Sequence, residues 1–90
     1  FVQRVARAFQ RVGETEGEIR LRLSPPELGA VKLEVSLRDG AMIARMETET
    51  TTARNLLMDN LPQLKERLAE QNVRIETFEV EVRDQANQSS

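Results

Sequence analysis

Cysteine, histidine, tryptophan and tyrosine are all absent from this 90-residue chain. The lack of cysteine excludes a disulfide framework and a thiolate metal site. The lack of histidine removes the usual general base near neutral pH and every histidine-dependent catalytic triad. The only aromatic residues, Phe1, Phe9 and Phe78, are too few and too scattered for a base-stacking platform. No apolar run approaches the roughly 20 residues that a membrane-spanning helix needs.

Charge of either sign is plentiful but balanced. The 13 basic and 15 acidic residues are interspersed and give a net charge of -2, which does not steer the chain toward nucleic acid or anionic lipid. Two glutamate pairs, Glu47 with Glu49 and Glu66 with Glu70, have a spacing that could hold a hard cation. Their arginine and lysine neighbours favour a solvated face instead. We therefore expect no enzymatic activity, no metal and no cofactor.

The length allows one domain. The chain begins at Phe1, and we interpret it as a piece of a longer protein. Apolar residues at helical spacing predict an amphipathic N-terminal helix, which either docks on a partner or packs on its own domain. The predicted layout is a helix at 1–12, a linker at 13–17, a core domain at 18–83 and a disordered polar tail at 84–90.

Alternation of apolar and polar residues predicts strands at 18–23 and 31–38, and the segment 41–48 is predicted as the return strand, with three of its apolar residues on one face and Ile43 on the other. Asp39-Gly40 is a strong two-residue hairpin signal between the second and third. A last strand is predicted at 73–82, with a bulge or bend near Glu76 where the alternation changes phase.

A leucine-rich helical stripe follows the third strand, and Thr50, Thr51 and Thr52 are candidate N-caps. Pro62 must kink or restart this helix, because it has no N–H to donate. Asn60 could cap the restarted helix, and Asn72 could end it in the left-handed conformation.

These elements predict an α+β domain with two layers, a four-stranded mixed sheet covered by a kinked helix. The seven residues 24–30 are too few for a parallel crossover, so the first three strands should form an antiparallel meander. The helix is long enough to return the last strand parallel to the first, which gives the order 4-1-2-3.

Residues 23–33, Leu-Ser-Pro-Pro-Glu-Leu-Gly-Ala-Val-Lys-Leu, form the most specified segment. A strand ends at Leu23, and Pro25 begins a proline pair that cannot extend a central ladder. Leu28 should tuck under the turn, and Gly29 should supply a positive φ at its exit.

This L-x-P-x-x-L-G-x-V-x-L pattern resembles the C-terminal domain of flagellar hook-length control proteins. The likeness runs from about residue 18 to residue 82 and includes Asn-Leu-Pro-Gln-Leu at 60–64 and Leu-Ala-Glu-Gln-Asn at 68–72. One departure is Asn72, where the family commonly has glycine. Asparagine also tolerates the left-handed conformation.

The resemblance implies an interaction module that switches export from hook to filament substrates by binding the cytoplasmic domain of the export gate's switch protein. It implies action in the cytoplasm at the export apparatus, followed by secretion through the flagellar channel. We expect a monomer with no nucleic acid partner and no membrane insertion. The family's partner-contacting positions fall on Val31, Leu33 and Leu64, for which core packing is the alternative. The structural motif positions are Leu23, Pro25, Leu28, Gly29 and Pro62.

The remaining alternative is a small nucleic-acid-binding or generic adaptor module. Five basic residues could form a patch for such a function: Arg45, Arg54, Lys65, Arg67 and Arg74. Glutamates alternate with these five residues and cancel much of their positive electrostatic field. A steep loss of binding with salt would favour the nucleic-acid alternative.

Overall fold

The structure is a computed structural model that describes residues 1–12 and 16–83. Its elements follow one another as α1 Val2–Val12, β1 Gly17–Arg22, a single 3₁₀ turn at Pro26–Leu28, β2 Ala30–Arg38, β3 Ala41–Thr48, α2 Thr51–Asp59, α3 Leu61–Glu70 and β4 Thr77–Val82. The four strands form one mixed sheet, and the helices cover one of its faces. The predicted α+β class is confirmed. No helix in the described part of the chain is long and apolar enough to cross a membrane.

The sheet order is β1-β2-β3-β4. The first three strands form the predicted antiparallel meander, but β4 runs parallel to β3 and not beside β1. The predicted order 4-1-2-3 is therefore wrong. Helix α1 already covers β1 and β2, whereas α2 covers β3 and β4. The crossover through α2 and α3 therefore needs to reach only the neighbouring edge of the sheet, beyond β3.

Helix α1 is part of the hydrophobic core. Its residues Val5, Ala6, Ala8 and Phe9 are buried. The ring of Phe9 meets that of Phe78 edge-on, with 6.1 Å between centroids, so the first helix and the last strand meet in the core. The structure thus has the helix packed on its own domain.

The predicted linker ends earlier than expected, since Gly17 already belongs to β1. Residues 13–15 and the predicted tail at 84–90 lie outside the described residues.

The break between α2 and α3 follows the proline. Thr50 caps α2 by accepting a hydrogen bond from Ala53 N. Pro62 sits in the first turn of α3, where no N–H is needed. Asn60 occupies the boundary position, but its side chain donates to Leu56 O at 2.8 Å and does not cap α3. The kink is therefore stabilised from the preceding helix.

The last strand is shorter than predicted. Residues 73–76 are not in the sheet, and β4 begins at Thr77, opposite Ile43 of β3. Residues 71–76, the connecting segment, instead lead from α3 to β4, with Asn72 at a φ of +63°. The change of phase near Glu76 marks the start of the strand, where pairing with β3 begins.

Candidate functional site

Residues 23–30, the signature turn, connect β1 to β2 and close on themselves. Leu23 N donates to Gly29 O, Leu28 N to Pro25 O and Gly29 N to Pro26 O, each at 3.0 Å. Leu23 and Leu28 are 5% and 7% exposed. The two leucines anchor the turn on the core, as the sequence predicted for Leu28.

Gly29 meets two requirements at once. Its φ of +78° and ψ of -156° lie in a region that is open essentially to glycine alone. A Cβ at this position would also lie 2.5 Å from Glu49 Oε1. That carboxylate oxygen accepts a hydrogen bond from Ala30 N at 2.9 Å, so the absent side chain leaves room for a contact between the turn and the end of β3.

Two threonines join the turn to the start of α2. Thr50 Oγ1 donates to Leu28 O at 2.9 Å while it accepts from Ala53 N at 3.1 Å. Thr48, which is fully buried, donates to Thr50 O at 2.9 Å. The turn, β3 and α2 are therefore joined by hydrogen bonds that are partly buried.

The turn presents a different chemistry to solvent. Ser24, Pro25, Pro26 and Glu27 are all exposed. Because the backbone beneath them is fixed, these side chains form a preorganised rim, and a partner that binds there pays little entropy to order it.

The open face of the sheet carries both signs of charge. Lys32 Nζ lies 3.2 Å from Glu47 Oε1, and Arg45 Nε donates to Glu81 Oε1 at 2.9 Å. That hydrogen bond and the charge of Glu81 raise the pKa of Arg45 above its usual value. The face therefore has no single-sign field of the kind that attracts long polyanions.

In the structure, the two members of the glutamate pair at 47 and 49 each have a partner within the domain. Glu47 faces Lys32, and Glu49 accepts from the backbone of Ala30. Within residues 1–12 and 16–83, no group of three or more acidic side chains could hold a metal ion.

A sequence model described as "Flagellar hook-length control protein FliK" matches residues 5–89. The chain belongs to the flagellar hook-length control protein family. A relative from Bacillus subtilis (strain 168), described as a probable flagellar hook-length control protein, is 31% identical over 70 residues. The alignment covers 78% of this chain but 14% of that relative, so the chain spans a small part of the protein it matches.

The fold of this hook-length control domain also has a solved counterpart. The crystal structure of the PscP SS domain aligns with a TM-score of 0.64 over 91% of this chain and 93% of that chain. The identity is 21%, so the likeness concerns the fold.

The structure of the hook-length control domain places the three predicted partner contacts in its interior. Val31 and Leu33 are 0% exposed and Leu64 is 2% exposed. Leu33 lies on β2 between Ile19 and Met46, on the face that the helices cover. Val31 and Leu33 occupy alternate positions of β2 that point into the core beneath the helical layer, and Leu64 lies on the buried side of α3. None of the three can touch a partner in this conformation.

Four of the five structural motif residues have the burial, backbone conformation or helix position that the sequence suggested. Leu23 and Leu28 are buried, Gly29 has its positive φ, and Pro62 opens α3. The contact of Glu49 with the turn and that of Arg4 with the end of β1 had no sequence signal, since the partners lie 19 and 18 residues away.

Proposed function

We propose that this domain switches export specificity from hook to filament substrates by binding the cytoplasmic domain of the export gate's switch protein. Membership of the hook-length control family over residues 5–89 supports this proposal. The domain would act in the cytoplasm at the export apparatus before it leaves through the flagellar channel. Length measurement would belong to parts of the protein outside this chain.

The proposed contact is the exposed rim of the signature turn. The observation that carries it is the contrast within one segment: Leu23 and Leu28 are buried, whereas Pro25, Pro26 and Glu27 are exposed. The backbone of the turn is held by hydrogen bonds within the turn and by bonds to the two residues that follow β3. A rigid, partly apolar projection is well suited to bind a complementary surface at low entropic cost.

The buried residues Val31, Leu33 and Leu64 then act indirectly in this proposal. They support β2 and α3 beneath the helical layer and so keep the rim in position. Their substitution would impair switching because it destabilises the domain that presents the rim.

Switching by this route is a shift of population. The domain biases the switch protein toward one of two conformations only by its difference in affinity for them. No bond is made or broken on this side, and we propose a monomeric, non-enzymatic domain that needs no cofactor. The absence of histidine and cysteine from the sequence is consistent with that role.

Calorimetric titration of the switch protein's cytoplasmic domain tests this function. Pro26→Glu, in the first turn of the 3₁₀ segment, should weaken binding by about tenfold or more, equivalent to about 1.4 kcal/mol. The matched control is Pro62→Glu, the same change in the first turn of α3, where the side chain is also exposed. Both variants should keep their folded spectra. In cells, Pro26→Glu should give overlong hooks.

Two results would count against the proposal in different ways. If the wild-type domain does not bind the switch protein's cytoplasmic domain, the partner is wrong. If Pro26→Glu and Pro62→Glu bind equally well, the rim of the turn is not the contact.

A further inference from the structure

We infer that a cleft beside the signature turn binds an acidic peptide segment, and, where the proposed function holds, that this segment belongs to the switch protein. The cleft has a volume of about 590 Å³. Three arginines, Arg4, Arg20 and Arg22, line it together with Leu23 and Pro26. We call it the arginine cleft.

The fold assembles these arginines from two distant parts of the chain. Arg20 and Arg22 are two residues apart on β1 and therefore point to the same face of the sheet. Arg4 comes from α1 and donates through Nη2 to Arg22 O at 2.9 Å. This hydrogen bond uses part of one guanidinium and leaves most of its donors available to a ligand.

The charge of the arginine cleft is not neutralised within the described residues. The salt bridges of the described residues involve Lys32 and Arg45 and none of the three cleft arginines. The carboxylate that lines the cleft, Glu49, already accepts a hydrogen bond from Ala30 N. Three arginines beside one carboxylate leave the cleft with an excess of positive charge and of hydrogen-bond donors.

Guanidinium groups suit carboxylates because their planar donors bind both oxygens at once. Pro26, which is exposed, adds apolar surface to the same cleft, which fits a peptide whose acidic residues alternate with an apolar one. Pro26 also belongs to the exposed rim. A single peptide could therefore contact the rim and the arginines together.

A long polyanion such as nucleic acid fits the surroundings less well. Glutamates lie across the open face of the same sheet, at Glu18, Glu34, Glu47, Glu79 and Glu81. The net charge of the chain is -2. A nucleic acid that extended beyond the cleft would meet repulsion, whereas a short acidic segment would not.

The test measures binding of the 90-residue chain to three probes: labelled hexaglutamate, the switch protein's cytoplasmic domain and a short single-stranded DNA. The informative variants are Arg20→Glu and Arg22→Glu. Arg38→Glu is the matched control, because Arg38 is exposed on the open face of the neighbouring strand and does not line the cleft. All variants are first compared by circular dichroism and thermal unfolding.

We expect hexaglutamate and the switch protein's domain to bind at least about tenfold more weakly to Arg20→Glu than to Arg38→Glu, because each cross-interface charge pair contributes substantially to affinity. Raising the salt concentration from about 0.05 M to about 0.5 M should weaken both complexes through screening. The DNA should bind more weakly than hexaglutamate to the wild type.

The outcomes separate this inference from the proposed function. If the switch protein's domain does not bind but hexaglutamate binding depends on Arg20, the acidic-peptide site stands and the proposed partner is wrong. If neither peptide nor protein distinguishes Arg20→Glu from Arg38→Glu, the inference is overturned, whatever the partner. Tighter binding of DNA than of hexaglutamate, lost in the same variants, would overturn it in favour of a nucleic-acid site.

Discussion

The signature turn and the connecting segment both lead the chain into a strand of the same sheet, but they are held differently. Each contains one positive φ, at Gly29 and at Asn72, and each directs apolar side chains toward the core. The turn is hydrogen-bonded to Glu49, which follows β3, and to Thr50, the N-cap of α2, and Arg4 of α1 donates to the last residue of β1 just before the turn. Its leucines are buried.

The connecting segment is held mainly by backbone hydrogen bonds from its first three residues to the end of α3, and no side-chain hydrogen bond ties it to another element among the described residues. Val73 N donates to Leu68 O at 2.9 Å and Glu76 N to Met42 O at 2.9 Å. Val73 and Ile75 are only half-buried, and they line an open groove of about 710 Å³ beside Phe78. The comparison indicates that rigidity in this domain is concentrated at the turn, where a partner would need a fixed surface.

The largest expected effect tests whether the strand that leaves the turn is interior. Leu33→Asp places a charge where the side chain is 0% exposed, so the cost should exceed about 4 kcal/mol and unfold the domain. Val31→Asp and Leu64→Asp should do the same. Leu37→Asp is the control, since Leu37 lies on the same strand and is 53% exposed. Its cost should be about 1 kcal/mol in urea unfolding.

A folded Leu33→Asp domain with an unchanged melting temperature would reverse this interpretation. Leu33 would then contact the partner directly, as the family resemblance implies. In that case the folded Leu33→Asp variant should fail to switch export in cells.

The next effect compares the anchors of the two segments directly. Leu28→Ala should cost about 2–4 kcal/mol, because the side chain is nearly fully buried under the turn. Val73→Ala should cost about 1 kcal/mol, because its side chain is half-buried and loses less apolar contact. Chemical denaturation measures both, and equal costs would remove the contrast between the turn and the connecting segment.

The sequence predicted the turn well because its signals are local. Proline excludes a ladder position, glycine allows a positive φ, and Asp39-Gly40 forms the predicted hairpin with φ values of 53° and 82°. The same locality explains why the N-cap Thr50 is among the three threonines that the sequence offered, and why the helix restarts at Pro62.

The features of the fold that the sequence did not predict depend on contacts between residues that are distant in the chain. The position of β4 follows from where α1 packs, and no periodicity in 73–82 encodes that. Residues 73–75 alternate as a strand does, but in the register of β3 and β4 residues 73 and 74 would fall opposite the hairpin turn at 39–40, and β4 begins at Thr77. The meeting of Arg4 with the end of β1 likewise exists only in the folded chain.

A smaller effect separates the two constraints on Gly29, its positive φ and its close approach to Glu49. Gly29→Ala should cost about 2–3 kcal/mol, since alanine is strained at this φ and ψ and its Cβ would displace Glu49. Gly40→Ala is the control, because its φ is +82° but nothing lies within 4 Å of the added Cβ. That variant should cost about 1 kcal/mol from strain alone. In a Glu49→Ala background the cost of Gly29→Ala should fall, which a double-mutant cycle would show.

The smallest effect concerns the polar groups of the connecting segment. Gln71 Oε1 is buried and has no hydrogen-bond partner among the described residues, whereas the polar groups that join the turn to β3 and α2 are paired. A buried acceptor without a partner costs desolvation free energy that no hydrogen bond offsets. Gln71→Met should therefore stabilise the domain by up to about 1 kcal/mol. Gln63→Met, at an exposed position of α3, should change the free energy of unfolding by less than about 0.5 kcal/mol. If Gln71→Met destabilises the domain more than Gln63→Met does, the amide is satisfied in solution, and the connecting segment is held more firmly than its contacts indicate.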